Sequence, residues 1–401
     1  MNRIFATLVA ITIVSMMSGA GVALAEIPEE VTVGGVFDIT GSWSEEGSLS
    51  RTAAQYAVDD FNAYLVDIGA EWQMKLLIED SQALGPVAFD KVSSLNSRGA
   101  DIIIGMGFSS HLQQSAAYVD NHNMLVISHA SQAANLEIDD NMFRLVPSDS
   151  NQAPAVVAMI ENAGIEVLVP FVRDDTWGNG MLNAVKEQYS GTIPDEFKYA
   201  TTNLEFSAEI GTLDLRIGDL IEEHGADKVG VLYVGTDEFL TIIEGTKLYD
   251  NVDNVRWFST NTQATNEALF QNEDAAEFVD TVMLTVTKQG STSANHVTAH
   301  VDDILNATSE RAPSQYTYAS YDSVWLLGVT ILQTGTTDIS TLVNAIPLVA
   351  EHMIGSAGPL RLTDNGDLAY AEYSILQASG GEFVTIYDYD PATDSLIDVG
   401  N

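Results

Sequence analysis

From residue 31 onward, short apolar runs alternate with longer stretches whose apolar positions recur every three or four residues. Residues 31–37 (VTVGGVF) are the first run; Ala54, Ala57, Val58, Phe61, Leu65 and Ile68 then share one helical face. The next strand is predicted at 72–79, and Pro86 starts a helix where its missing N–H costs nothing. A four- to five-residue apolar strand follows at 101–105 (DIIIG), then a helix over 109–121 and a strand at 124–128 (MLVIS). The rhythm restarts after Pro147-Ser148-Asp149, with strands at 166–171, 228–234 and 255–259 separated by helices. Late helices are predicted at 295–309 and 318–333, and a strand-rich tail at 369–377 and 382–389 has Gly380-Gly381 as its hairpin turn. Uninterrupted apolar strands between helices imply parallel sheets covered on both faces. The expected fold is therefore α/β, with two doubly wound parallel-sheet lobes.

The first residues carry a different pattern. Arg3 precedes an apolar stretch over 4–14, and Ala23-Leu24-Ala25 is an A-x-A cleavage site, so residues 1–25 read as a secretory signal peptide. The working compartment is then outside the cytoplasm, periplasmic or at the cell surface. The chain has no cysteine, which excludes disulfides, thiol catalysis, cysteine-held zinc and a lipoprotein anchor. Lys and Arg total 16 against 57 Asp and Glu, a formal charge of −41. Such a surface repels polyphosphate, so nucleic acid is not an expected partner.

Catalytic motifs are missing: no G-x-S-x-G, no H-E-x-x-H and no Walker loop occurs, and Gly105-Met106-Gly107 lacks the third glycine of a dinucleotide fingerprint. His296 and His300, with Asp303 nearby, have helical metal-pair spacing but read better as a polar helix face. Asp174-Asp175 reads as a polar turn. No cofactor, metal or enzymatic activity is expected. The informative segments follow strand ends, where open α/β sheets bind ligands. These are Thr40 to Gly47 (TGSWSEEG), Gly105 to Ser110 (GMGFSS) and Ser128 to Gln132 (SHASQ). The second places Ser109 at a helix N-terminus, where free N–H groups and the helix dipole suit a carboxylate.

Taken together these stretches resemble the type I periplasmic solute-binding proteins of ABC importers, in particular the leucine/isoleucine/valine-binding family. The matching segments are VTVGGVFDITGSW with AAQYAVDDFN, IIIGMGFSS, LVISHASQ, FRLVPSDSNQA, RDDTWGNG, YASYDSVWLLG and GPLRLTDNGDL, in the family's order. The resemblance implies two lobes joined by three crossing strands, with lobe one at 26–148 plus 286–357 and lobe two at 149–285 plus 358–401. It implies that Ser109 holds a ligand carboxylate, that Phe108 is its wall neighbour, and that the Ala130 carbonyl faces a ligand ammonium. Trp43 takes the first loop's aromatic place, and Trp177 replaces a tyrosine on the opposite lobe. Gln132 stands where the family has threonine, with Ser131 able to substitute. Thr262 stands in place of the glutamate that pairs with the ammonium, Thr236 in place of a tyrosine, and Glu46 in place of the first-loop tyrosine. Asp237 and Glu46 are then the candidate partners for a cationic amine. The implied role is an exported, monomeric subunit that clamps an amino acid or related small polar carboxylate and delivers it to an ABC importer permease. The alternatives are a binder of an amide, urea or betaine, and a ligand-sensing ectodomain. The latter calls for a C-terminal membrane or signalling segment, and none is seen up to Asn401.

Overall fold

A computed structural model describes residues 27–290, 295–309, 311–369 and 371–400; the expected signal peptide lies outside them. The chain first lays down β1 (Glu30–Phe37), α1 (Ser44–Ile68), β2 (Gln73–Asp80), α2 (Gly85–Ser97), β3 (Ile102–Gly105), α3 (Ser109–Asn121), β4 (Leu125–Ser128) and β5 (Met142–Arg144). These strands form one parallel sheet in the order β2-β1-β3-β4-β5. Strand alternation explains why β3 and β4 are apolar throughout. Ile102 and Ile104, like Leu125 and Ile127, enter one core, while Ile103 and Val126 enter another on the opposite face.

The second half begins at α4 (Asp149–Asn162), capped by Ser148, and continues through β6 (Val167–Arg173), α5 (Thr176–Gln188), β7 (Phe197–Tyr199), α6 (Ser207–His224) and β8 (Val229–Val234). It goes on through α7 (Phe239–Thr246), β9 (Arg256–Ser259), α8 (Asn261–Ala264), α9 (Ala268–Gln271), α10 (Glu273–Thr281) and β10 (Thr285–Gly290). The chain then returns to the first lobe with α11 (His296–Asn306), α12 (Gln315–Thr334), α13 (Ile339–Ala350) and a two-stranded ribbon, β11 (Ile354–Gly355) with β12 (Gly358–Pro359). Val301, Leu305, Leu326, Leu327, Leu342 and Ile346 of these helices share one core with Ala53, Ala57, Phe61 and Leu65 of α1. The tail, β13 (Glu372–Ala378), β14 (Phe383–Asp390) and β15 (Ser395–Asp398), adds three antiparallel strands to the second sheet. That sheet runs β15-β14-β13-β10-β9-β8-β6-β7. Gly380 and Gly381 adopt φ +67° and +83° at the hairpin, a left-handed turn that side chains with a Cβ resist.

Two expected lobe boundaries shift. Residues 285–290 are an interior strand of the second sheet, parallel to β9 and antiparallel to β13, so they do not open the return to lobe one at 286. Leu360 lies in the first lobe's core, so the last crossing comes between it and Glu372 and not at 358. At this crossing the buried Arg144 pairs with Asp367, and the Leu368 N–H donates to the Arg144 carbonyl at 2.9 Å. The pair ties the first crossing segment to the third.

Candidate functional site

The loops after β1, β3 and β4 meet loops after β6, β8 and β9 where the carboxyl ends of the two sheets face each other. The β3 exit is tightly built. Gly105 has φ +101°, and a Cβ there would sit 2.3 Å from the Val36 carbonyl oxygen. Met106 follows at φ +53°, an uncommon conformation for a side-chain-bearing residue, and its N–H donates to that same oxygen at 2.6 Å. This turn presents Gly107, Phe108 and the first turn of α3. Ser109, 2% exposed, accepts through Oγ from Ser131 Oγ at 3.0 Å and from the Ala133 N–H at 3.2 Å.

A narrow cavity of about 20 Å³ remains between the lobes. From the first lobe come Trp43, Gly107, Phe108, Ser109, Ala130, Gln132 and Tyr316; from the second come Trp177, Thr236 and Thr262. The Trp43 ring meets Phe108 and Tyr316 edge-on, at centroid distances of 5.5 and 5.1 Å. The lobes are bonded across this cavity. The Thr236 hydroxyl donates to the Ser42 carbonyl at 2.9 Å, and the Asp237 N–H reaches the same oxygen at 3.2 Å. Asn261 Nδ2 donates to Gln132 Oε1 at 3.2 Å, and the Tyr316 hydroxyl donates to that oxygen at 2.8 Å. Room of this size holds about one water, so admission of a solute requires the lobes to part. A larger groove, about 950 Å³, runs along the rim between α3 and α5. It is lined by exposed amides such as Gln113, Gln114 and Asn183 and has no aromatic wall.

Charge is kept behind the wall. Arg173 lies 4.7 Å over the Phe108 ring, donates to Thr236 Oγ1 at 2.8 Å, and is neutralised by Asp175 at 2.6 Å and Glu238 at 3.1 Å. Beneath Gly107, Asp38 accepts from Ser81 Oγ, and its second oxygen has no partner. Burial pushes Asp38 up to about 7 and holds His111 and His129 neutral, down to about 3 and about 4.

Eight of the expected site residues line the cavity: Trp43, Phe108, Ser109, Ala130, Gln132, Trp177, Thr236 and Thr262. Three do not. Ser131 stands behind Ser109 as its hydroxyl donor. Glu46 is fully buried in α1: Oε1 accepts from Ser50, Ser314 and Thr317, and Oε2 lies 3.2 Å from Arg311. The 3.6-residue helical period turns it toward α12, away from the cavity. The Asp237 carboxyl is outside the wall too; burial pushes it up to about 7, opposed by the charge of Arg311. Arg311 is thus the ion-pair partner of Glu46, and its charge favours the ionised form of Asp237. Gly107 and Tyr316 were not anticipated. Gly107 sits inside the singled-out GMGFSS segment, whereas Tyr316 arrives on a helix distant in sequence, two residues ahead of the YASYDS stretch. Elsewhere, Asp175 caps α5 and Asp174 accepts from Asn179, a polar turn as read. His300 is 2.8 Å from Asp60, and no group of three metal-ligating side chains gathers among the described residues.

Two α/β lobes crossed three times by the chain, with strand-end loops enclosing a cavity between them, define the type I periplasmic binding protein fold. The family model described as "Receptor family ligand binding region" matches residues 49–381, and the chain belongs to that family. The leucine-binding protein LivK of Thermotoga maritima superposes with a TM-score of 0.75 at 16% identity, covering 90% of this chain and 99% of LivK. A solute-binding protein of an ABC transporter from R. palustris, solved with benzoate, superposes with a TM-score of 0.71 at 15% identity, covering 92% and 98%. By sequence, the uncharacterised protein MJ1266 of Methanocaldococcus jannaschii is 24% identical over 311 residues, 74% of this chain and 71% of that protein. The family and these solved neighbours are binding proteins.

Proposed function

We propose that this chain is the extracytoplasmic solute-binding subunit of an ABC importer, clamping a small carboxylate between its lobes and presenting the closed form to a membrane permease. The observation that carries this reading is the wall itself, assembled from strand-end loops of both sheets and bonded across through Thr236, Asp237 and Asn261. A solute touching both lobes stabilises the closed state through its differential contacts, and the closed state is the signal. Ser109, at the N-terminus of α3, is the residue assigned to the carboxylate. Trp43 and Trp177 cover the solute from opposite sides.

The rest of the reading follows from that role. In this reading the chain acts by binding alone, with Ser109 held by the Ser131 hydroxyl and the Ala133 N–H. It is exported by residues 1–25 and works as a monomer. Among the described residues no helix is long and apolar enough to cross a membrane. The two solved neighbours bind leucine and benzoate, which share a carboxylate on an apolar body.

The test is to strip the purified protein of solute in denaturant, refold it, and titrate back the extract while following tryptophan fluorescence and radius of gyration. Saturable quenching or enhancement with a smaller radius is expected. The fluorescence change should shrink in Trp43→Phe or Trp177→Phe. A fluorescence change undiminished in both variants, or a radius unaffected by saturating solute, refutes the clamp.

A further inference from the structure

The hydrogen-bonding inventory of the wall says what kind of solute it suits. Ser109 Oγ accepts two hydrogen bonds, from Ser131 and from the Ala133 N–H, so its own proton is left to donate. The Gln132 carboxamide oxygen is taken by Tyr316 and Asn261, while one Nε2 proton goes to the Pro147 carbonyl and the other is unspent. Both side chains are 2% exposed. They stand beside the first turn of α3, whose free N–H groups and dipole add further donor character. Trp43, Phe108, Trp177 and Tyr316 supply ring surface for an apolar body.

No wall side chain is a carboxylate. Of the acids nearby, Glu46 is occupied by Arg311 and three hydroxyls, and Asp175 and Glu238 by Arg173; Asp237, beside Thr236, forms no ion pair among the described residues, but its carboxyl lies outside the wall and burial raises it to about 7. Asp38 and Asp149 each keep an unpartnered oxygen, but both lie outside the wall, and burial raises both toward the neutral acid. An ammonium closed into this cavity would be desolvated with no carboxylate in the wall to pair with it.

We propose that the site selects a small carboxylic acid with an apolar or aromatic body and no cationic amine, and discriminates against the α-amino acid of the same skeleton. This rests on the solute-binding reading above and narrows it. The test uses matched pairs on the refolded full chain by calorimetry: 3-phenylpropanoate against phenylalanine and 4-methylpentanoate against leucine, with 3-phenylpropanamide as the neutral control. Each acid is expected to bind at least tenfold tighter than its amino acid, and 3-phenylpropanoate at least tenfold tighter than the amide. Ser109→Ala should weaken the acids at least tenfold, and Ser109→Thr should restore most of that loss. Thr262→Glu, which sets a carboxylate into the wall, should erase or reverse the preference.

An amino acid that binds as tightly as its acid overturns the inference and leaves solute binding standing. The solute released from natively purified protein is identified by mass spectrometry in parallel; one with an amine, or without a carboxylate, overturns it equally. No binding by any compound and no released solute would refute solute binding itself, and this inference with it.

Discussion

Arg311 is where the closed form can be broken most informatively. It precedes α12 on the first lobe, 14% exposed, and lies 3.2 Å from the fully buried Glu46 and 3.3 Å from Glu45. Its Nη2 also donates to the Thr265 carbonyl of the second lobe at 3.1 Å. Arg311→Met keeps the apolar stem, strands a buried carboxylate and removes a bond between the lobes. Breaking a buried pair from one side costs roughly 3–5 kcal/mol. Because the arginine retains some solvent, the lower end applies, about 3 kcal/mol off the unfolding free energy. The lost cross-lobe bond adds about 1 kcal/mol against closure, so solute affinity should fall about fivefold. Glu46→Gln alone should cost about 1–2 kcal/mol, since the carboxamide oxygen still accepts from the α12 hydroxyls. The double variant should cost little more than Arg311→Met, because the stranded charge has gone. Urea unfolding of all four proteins measures this, and the cycle should return a coupling of about 1–2 kcal/mol. Losses that add to within about 0.5 kcal/mol would show that Glu46 and Arg311 do not act as a pair.

Four other outcomes are expected. Gly107→Ala places a Cβ 2.6 Å from Asp38 Oδ2 and 2.9 Å from the Trp43 ring; it should destabilise by about 1–3 kcal/mol and weaken solute binding, and wild-type urea midpoints with wild-type affinity would contradict this wall geometry. Asp38 has a folded pKa raised to about 7, so its burial penalises the fold increasingly as pH rises from about 4 through 7. Asp38→Asn should therefore stabilise at pH 8, with the gain fading by pH 4. His129, depressed to about 4, works in the opposite sense, its stability being lost as pH falls from 6.5 through 4, so His129→Asn should flatten that acid limb. Denaturation midpoints across pH 4–8 measure both, and parallel profiles for the variants and wild type would refute the assignments. Finally, with a formal charge of −41, the melting temperature should climb steeply as potassium chloride screens self-repulsion, the Debye length shrinking from about 10 Å at 0.1 M to about 3 Å at 1 M. A flat thermal-melt series in salt would show that the acidic coat carries no net strain.

What the linear pattern determined is what local physics reaches. Strand alternation and helical period are properties of neighbours, so DIIIG, MLVIS and the helix beginning at Ser109 could be read within a residue of their ends. The same reading placed Trp43, Phe108, Ser109, Ala130 and Gln132 at strand exits, which is where they line the cavity. Strands of three residues, β5 and β7, are too short for a period to show. β10 (TVTKQG) is polar at four of its six positions, and what holds it inside the sheet is pairing on both edges, chiefly with the distant β13.

Tertiary structure alone decided which acids face a solute. Glu46 follows a strand in sequence, and so it read as a cleft residue; in space the helical turn of α1 carries it to Ser314, Thr317 and Arg311, more than 260 positions away. Asp237 likewise sits beside a wall residue, yet its carboxyl is no part of the wall. A carboxylate's partner is set by whichever donor packs within about 4 Å, because in a buried site that donor determines whether the charge is tolerated at all. Nothing in the order of residues states that distance; here the fold assigns Glu46 to the protein's own Arg311 and leaves the cavity wall without a carboxylate.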